Sequence, residues 1–413
     1  MTFIAKSRYQ FLSCFLANLL FTSLLPAQQW QSCAAFSPAQ TLHCIRFAND
    51  STGYTVSSLY NGSTYNIHKT NDGGLSWTDQ SSGYTGTRFK DIWTFSADTV
   101  MMCGNYGLVI RTTDGGLTWI ADTVSPQGYH LFGISFDGPT GYVCGNNGAI
   151  YKTNDMGQTW TTVAPPFVTA IEEIYFLDKN HGFIAGLNFI YYTENGGQSW
   201  QQPQSFPGAS VNWWLRCFSF VNDSLGFVCG DIGQVYKTTD GGKNWTFLPN
   251  TLTQESLQCI KALDENRIYV SGYAGTVIRS LDGGLSWEVM TAASSQHFYG
   301  MDFTPSGIGY VCSWSGEVLK YNGSVVNLPE NIPAADIRIY PNPASNILFL
   351  DGDPDVDLLS DYSEISIFDA NGMLLSVLPV ARQLNLASFR PGLYSLVFTG
   401  NKGRIVKKVA ILR

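Results

Sequence analysis

Short runs of alternating apolar and polar residues recur along residues 41–328, each four to six residues long and separated by Gly, Asp, Asn and Ser. One cycle reads Cys217-Phe218-Ser219-Phe220, a polar turn at Asn222-Asp223-Ser224, then Gly226-Phe227-Val228-Cys229-Gly230. Gln234-Val235-Tyr236-Lys237 and Trp245-Thr246-Phe247-Leu248 complete it. Period-2 patterning between turn residues predicts four short strands per cycle. The cycle repeats seven times, at about 41–80, 86–123, 129–163, 169–202, 212–249, 256–290 and 297–328. A repeat of roughly 40–45 residues built from four strands is one propeller blade. Such units cannot bury their faces singly, so stacking into a closed ring around a central channel follows.

An eight-residue box, Ser/Thr-x-Asp-x-Gly-x-x-Trp, marks six of the seven cycles: 70–77, 112–119, 153–160, 193–200, 238–245 and 280–287. Its Trp residues are 42, 41, 40, 45 and 42 apart, a single period with small insertions. The box predicts a tight turn between the third and fourth strands. Asp accepts backbone N–H groups ahead of it, and Gly takes a positive φ without a Cβ clash. The Asp positions are Asp72, Asp114, Asp155, Asp240 and Asp282, with Asn195 in the fourth copy. Spread one per blade, they are expected to be structural. The seventh box has decayed to Tyr321-Asn322-Gly323. Trp30-Gln31-Ser32 is therefore expected to supply the outer strand that closes the ring, with Ser324 to Leu328 as the alternative.

Residue for residue the box resembles the Asp-box (BNR) repeat of sialidases, sortilin-type receptors and the photosystem II assembly-factor family. The evenly repeated Gly-Tyr-Val-Cys-Gly…Tyr-Lys-Thr-x-Asp-Gly-Gly-x-x-Trp pattern is most similar to the last of these. That resemblance implies the fold and an assembly or scaffold role, not photosynthesis, and the Arg-rich patch associated with that family is not evident. Beyond a Pro/Ala linker at 329–336 the rhythm changes. Strand-like runs begin at Ile337, Ile347, Ile365, Met373, Leu393 and Ile405, which predicts a small Ig-like β-sandwich over 337–413. Its motifs are Tyr340-Pro341-Asn342-Pro343, Ile367 to Gly372, Gly392-Leu393-Tyr394 and Lys407-Lys408. In this order they resemble the type A C-terminal sorting domain of the Bacteroidetes type IX secretion system, which implies the secretion machinery as a partner. The fold class expected for the whole chain is all-β: a seven-bladed propeller at 28–328 followed by the sandwich.

Residues 1–27 read as a signal peptide: Lys6 and Arg8, an apolar run from Phe11 to Leu25, then Pro26-Ala27. No later stretch is apolar for long enough to span a bilayer as a helix. Export and a secreted or outer-surface location follow. The net charge of −8 without a basic stripe argues against nucleic acid. Eight cysteines follow the leader, but they fall at equivalent strand positions: Cys103, Cys144, Cys229 and Cys312 in one set, Cys44, Cys217 and Cys259 in another. Side chains at equivalent positions are expected not to face each other, so buried core thiols are predicted rather than disulfides. Cys33 has no deduced partner.

Chemistry is expected on the face opposite the boxes, where the second-to-third turns and blade-to-blade loops lie. Those segments hold Tyr106, Tyr129, Trp213, Trp214, Arg216, Tyr273 and Trp314, aromatics suited to stacking on a sugar or anchoring a peptide. No cofactor or metal site is expected. The histidines are scattered singly, and the run Asp351-x-Asp353-x-Asp355-x-Asp357 lacks the Gly and Glu of a Ca²⁺ loop. The reading reached is a non-catalytic exported propeller that binds a glycan or protein ligand. A glycoside hydrolase is the alternative, sialidase-like or xyloglucanase-like, using channel-mouth acids such as Glu172 or Glu173. Against it, the Arg-Ile-Pro motif near a sialidase N-terminus is missing, and only one propeller is present.

Overall fold

The computed structural model describes residues 30–36, 40–59, 65–80, 83, 87–207, 213–322, 337–352, 361–368, 374–400 and 403–412. The leader, the linker, Ser324 to Leu328, Asp353, Asp355, Asp357 and Gly372 lie outside these residues.

Seven antiparallel sheets follow one another in the order expected, six of them four-stranded. In blade 4 the outermost strand is reduced to a single bridge between Tyr192 and Gln201. The ring closes through the N-terminus. Gln31–Ala35 pairs antiparallel with Glu317–Asn322 and forms the outer strand of the blade built from Phe298–Phe303 and Ile308–Ser313. Trp30 is fully buried, stacks on Tyr321 and meets Phe303 edge-on at 6.2 Å and 80°. Box tryptophans meet the Phe ending their own inner strand in the same way: Trp77 on Phe47, Trp160 on Phe136, Trp200 on Phe176 and Trp245 on Phe220. All four pairs are 6.2–6.3 Å apart at 79–83°. Trp30 is a box Trp delivered from the other end of the chain.

That Phe also explains the Gly opening each second strand. Gly53, Gly141, Gly182, Gly226 and Gly309 face Phe47, Phe136, Phe176, Phe220 and Phe303 as cross-strand partners. A Cβ on any of them would lie under 3.0 Å from the ring. Where blades 2 and 6 lack the Phe, the pairs become Thr94 with Val100 and Ala262 with Ile268. The ring and the missing side chain are thus one unit of packing.

Neighbouring blades are joined by two repeated contacts. Aromatics of one blade's second strand stack on the next blade's inner-strand Phe, as Tyr310 does on Phe47 (3.9 Å) and Tyr142 on Phe176 (3.6 Å). On the rim, the Lys preceding the box Thr donates to the first Gly carbonyl after the next blade's box Asp or Asn. Lys69 reaches Gly115, Lys152 Gly196, Lys237 Gly283 and Lys320 Gly73. The last of these, with the Tyr310 hydroxyl on the same carbonyl at 2.7 Å, fastens blade 7 to blade 1.

The C-terminal region has two sheets. One contains Ile337–Tyr340, Ile347–Gly352 and Gln383–Asn385; the other contains Leu374–Pro379, Tyr362–Phe368, Gly392–Gly400 and Gly403–Ile411. Leu348, Leu350 and Leu384 of the first share a core with Ile365, Leu396 and Phe398 of the second. Gln383–Asn385 is a strand too short for the sequence pattern to reveal. Tyr340-Pro341 and Asn342-Pro343 are cis peptides. Asn342 accepts the Ala410 N–H at 2.9 Å, and Ala344 bridges to the last strand, so the Pro-rich segment is tied to the chain end. Tyr394 donates to the Arg390 carbonyl, and Gly392 and Lys407 lie on the last two strands, as does Lys408.

Because Trp30 closes the ring, Trp30→Ala should cost about 3–5 kcal/mol in chemical denaturation. A midpoint equal to that of the unaltered chain would mean that the N-terminus does not complete blade 7.

Candidate functional site

The seven inner strands share one irregularity. Each breaks register at the same place, between Leu42 and Cys44, Phe89 and Asp91, Leu131 and Gly133, Ile171 and Glu173, Leu215 and Cys217, Leu257 and Cys259, and Phe298 and Gly300. A bulge adds one unpaired residue and re-aims its side chain. The extra residues are His43, Lys90, Phe132, Glu172, Arg216, Gln258 and Tyr299, and all seven line a cavity of about 290 Å³. The next residue in each strand forms a second tier, with Cys44, Asp91, Glu173, Cys217, Cys259 and Gly300 on the same wall. Arg46, Arg88 and Tyr273 complete the lining. The bulge is how a sheet edge of buried apolar residues also presents a polar ring to the channel.

Opposite charges are matched across blades. Arg216 pairs with Glu172 at 3.0 Å and with Asp231 at 3.3 Å, and its guanidinium lies 5.7 Å from the Trp214 ring. Asp231 also accepts from the Ser256 hydroxyl and the Trp214 N–H. Arg46 pairs with Asp91 at 3.2 Å, and Lys261 with Asp302 at 3.0 Å. Arg88 donates to His43 at 3.0 Å. Burial, with the charges of Arg88 and Lys90, holds His43 well below its ordinary value, so a neutral ring accepts that bond. Burial first, then Arg88, lowers Lys90 to about 8, and its ammonium lies 5.8 Å from Phe132. Burial and the Asp91 carboxylate push Glu173 well above the usual carboxylate range against the opposing pull of Arg46.

One side of the mouth is aromatic. Tyr273 packs on His297 (4.4 Å), His297 stacks on Trp314 (5.3 Å), and Tyr299 meets Tyr273 edge-on. Trp314 is 38% exposed and Tyr106, which packs on His130, is 59% exposed. Of the residues named from sequence, Arg216 and Tyr273 line the cavity, while Trp214 and Trp314 adjoin it through Arg216 and His297. Tyr129 is half-buried against the blade 2–3 core. Trp213 is half-buried, with its backbone tied to Asn188 at both N–H and carbonyl. His43, Arg46, Lys90, Asp91 and Gln258 were not singled out. For His43, Lys90 and Gln258 the signal was one variable, mostly polar column ahead of the Cys44-type position when the seven repeats are aligned; Asp91 holds that position itself in blade 2.

The boxes are engaged by their own turns. In each, the first Ser/Thr hydroxyl donates to the Asp or Asn Oδ1 and accepts the second Gly N–H, as with Thr70, Asp72 and Gly74. Oδ1 also accepts the N–H four residues on, at Ser76, Thr118, Thr159, Ser199, Asn244 and Ser286. Hydrogen bonds from Ser or Thr hold exposed Asp72 and Asp114 and half-buried Asp155 and Asp282 at about 2. Blade 1 carries a separate cluster in which His68 joins Ser57 Oγ (2.9 Å) and Asp79. Ser57 is only 2% exposed and His68 is capped by Phe36, so the cluster has the atoms of a hydrolytic triad without access. Among the described residues, no group of three or more His, Cys, Asp or Glu is placed to hold a metal.

One expectation is overturned. Cys217 and Cys259, at equivalent positions in consecutive blades, face each other with sulfurs 3.6 Å apart. Inner strands converge on the axis, so equivalent side chains there approach across the seam instead of diverging. All eight described cysteines are free thiols; Cys33 bonds the Val318 carbonyl.

The sequence profile described as photosynthesis system II assembly factor YCF48 matches residues 23–174 and 160–253, more than half of the chain. A profile described as a secretion system C-terminal sorting domain matches 338–412. The photosystem II assembly lipoprotein Ycf48 of Synechococcus sp. (strain CC9902) is 34% identical over 77 residues, 18% of this chain and 23% of that protein. The chain therefore matches about a quarter of that curated relative's length. A structure described as YCF48 bound to D1 peptide superposes with a TM-score of 0.59 at 20% identity, covering 72% of this chain and 96% of the other. PorZ, described as an essential surface component of the type-IX secretion system of Porphyromonas gingivalis, gives 0.53 at 14%, covering 90% of this chain and 59% of that one. At these identities the structural likenesses carry the fold alone.

The depressed box carboxylates contribute stability that is fully present above their unfolded value near about 3.9 and is lost as pH falls through about 2. Their own contribution to melting temperature should be constant from about pH 7 to 5 and fall between about 4 and 2. A chain with all four residues changed to Asn should show a shallower acid limb in the same scan, with Asp50, Asp178, Asp240 and Asp264, which are also held low, supplying the remainder.

Proposed function

Starting from a chain that belongs to the photosynthesis system II assembly factor YCF48 family, we propose that it is an exported, non-catalytic propeller that holds an acidic peptide segment of a protein partner at its channel mouth. The type IX sorting domain at its C-terminus implies handling by the secretion machinery and a secreted or cell-surface location. No helix among the described residues is long and apolar enough to cross a membrane.

The observation that carries the binding reading is the composition of the mouth. Four cationic side chains, Arg46, Arg88, Lys90 and Arg216, face Asp91, Glu172 and Glu173 in one cavity, beside the Tyr273, His297 and Trp314 rings. With Glu173 biased toward its neutral form, this cavity is positive in a chain whose formal net charge is −8. Ion pairs already fix Arg46 and Arg216, so the surface is organised before a ligand arrives. Aromatic rings beside paired charges suit a peptide whose apolar side chains stack while its carboxylates meet Arg88 and Lys90. A related structure with a bound peptide supports the same class of ligand.

Glycoside hydrolysis is the second reading, favoured by Glu173, a half-buried acid with a raised value next to the ion-paired Glu172. Three arginines do converge here, but Arg46 and Arg216 are engaged by the protein's own carboxylates instead of awaiting a substrate's.

Peptide and glycan arrays probed in parallel with an assay for reducing-sugar release test both readings. Retention on acidic peptides without turnover is expected, weakened at least about tenfold by combined Tyr273→Ala and Trp314→Ala. Retention should also fall with added salt. Because Lys90 is lowered to about 8, affinity should drop as pH rises through that value. Sugar release that disappears in Glu173→Gln would establish the hydrolase instead.

A further inference from the structure

Around the second tier of the channel wall, thiols occupy the places of Cys44, Cys217 and Cys259. Cys217 and Cys259 are the pair on consecutive blades, and their sulfurs are 3.6 Å apart. They are 7% and 4% exposed and line the cavity, so small molecules in the mouth reach them but a folded protein does not. We propose that Cys217 and Cys259 form an oxidisable dithiol whose co-reactant is a small hydroperoxide and whose product is a disulfide between blades 5 and 6.

The surroundings favour Cys259 as the attacking sulfur. The two sulfurs share a bond, and Lys261 and Arg46 add positive charge, which together hold Cys259 below the ordinary thiol range against the effect of burial. Cys217 is shifted upward by the same shared bond and by burial, so it stays a thiol. In the first step the Cys259 thiolate attacks the hydroperoxide, the O–O bond breaks, and the leaving alkoxide or hydroxide takes a proton from water. Cys259 becomes a sulfenic acid. In the second, the Cys217 sulfur attacks Cys259, the S–O bond breaks, and the departing hydroxide combines with the Cys217 proton as water. Two thiols are oxidised and one hydroperoxide is reduced. Export places this pair where thiols are not kept reduced.

The geometry also supplies a rival. Cys229 lies directly across from Cys217 in the same blade, so its disulfide with Cys217 would arise from simple cross-strand proximity. The test exposes the full-length folded protein, first reduced with a water-soluble phosphine, to hydrogen peroxide and maps its peptides without reduction. A Cys217–Cys259 crosslink, the loss of two free thiols and a higher melting temperature are expected. Cys217→Ser should instead accumulate a sulfenic acid at Cys259 that a dione reagent labels, whereas Cys259→Ser should show no labelling at position 217. A Cys217–Cys229 crosslink, or a full complement of thiols after excess peroxide, overturns the proposal. If either serine variant fails to fold, the peptide map of the unaltered chain decides alone.

Discussion

Everything in the propeller depends on the seam between blades. A single four-stranded sheet buries neither face by itself, and the hydrophobic stabilisation of apolar residues is available only when the next sheet covers them. The seams from blade 3 to 4 and from blade 7 to 1 each have an inner and an outer fastening. Inside, a second-strand aromatic lies flat on the neighbour's Phe, as Tyr142 lies on Phe176. Outside, a Lys crosses to a box carbonyl, as Lys320 does to Gly73. The box is therefore more than a turn: by holding its own loop rigid through the Asp, it offers the neighbouring blade a fixed acceptor. The last seam has the longest separation in sequence, Tyr310 to Phe47, and it is made with the same two contacts.

The same convergence that makes the seams creates the channel chemistry. Inner strands crowd toward the axis, and a uniform pleat there would send every second side chain into its neighbours. The shared bulge relieves this by placing two consecutive residues on the channel wall. One column carries large, mostly polar groups at the mouth, and the next carries Cys, Gly or a carboxylate, of which Asp91 pairs with Arg46. Gly300 shows the limit, since a Cβ there would come within 3.0–3.1 Å of Cys312 and the Cys44 backbone. Charges in such a place persist when they are matched, and Arg46 with Asp91 and Arg216 with Glu172 are matched across different blades. Binding surface and blade registry are then held by the same ion pairs.

Glu173 and Cys259 show how far the wall departs from ordinary solution behaviour. Burial drives a carboxyl up, while a neighbouring thiol and two cations bring a buried sulfur down. Both sit at equivalent strand positions two blades apart, and their neighbours differ: Asp91 acts on Glu173, while Cys217 across the seam and Lys261 on the same strand act on Cys259.

The ring and the count of seven were legible in the chain because they are periodic: a 40–45-residue repeat with one Trp per copy admits few other folds. Closure by Trp30 was legible too, as a box Trp without a box. The sorting motifs were legible as local strings in fixed order. The tertiary structure alone decided what happens on the axis. Sequence reasoning looked to Trp213 and Trp214 because aromatics stand out in a loop, whereas the Trp213 backbone is held by Asn188 and the cavity is built from small groups of residues about forty positions apart, one group per blade. Period-2 patterning gives no sign of a bulge, and it treats equivalent positions as parallel. Only the closure of the ring turns Arg46, Arg88 and Arg216 toward one opening and brings Cys217 against Cys259, because distance around an axis is not encoded in any one repeat.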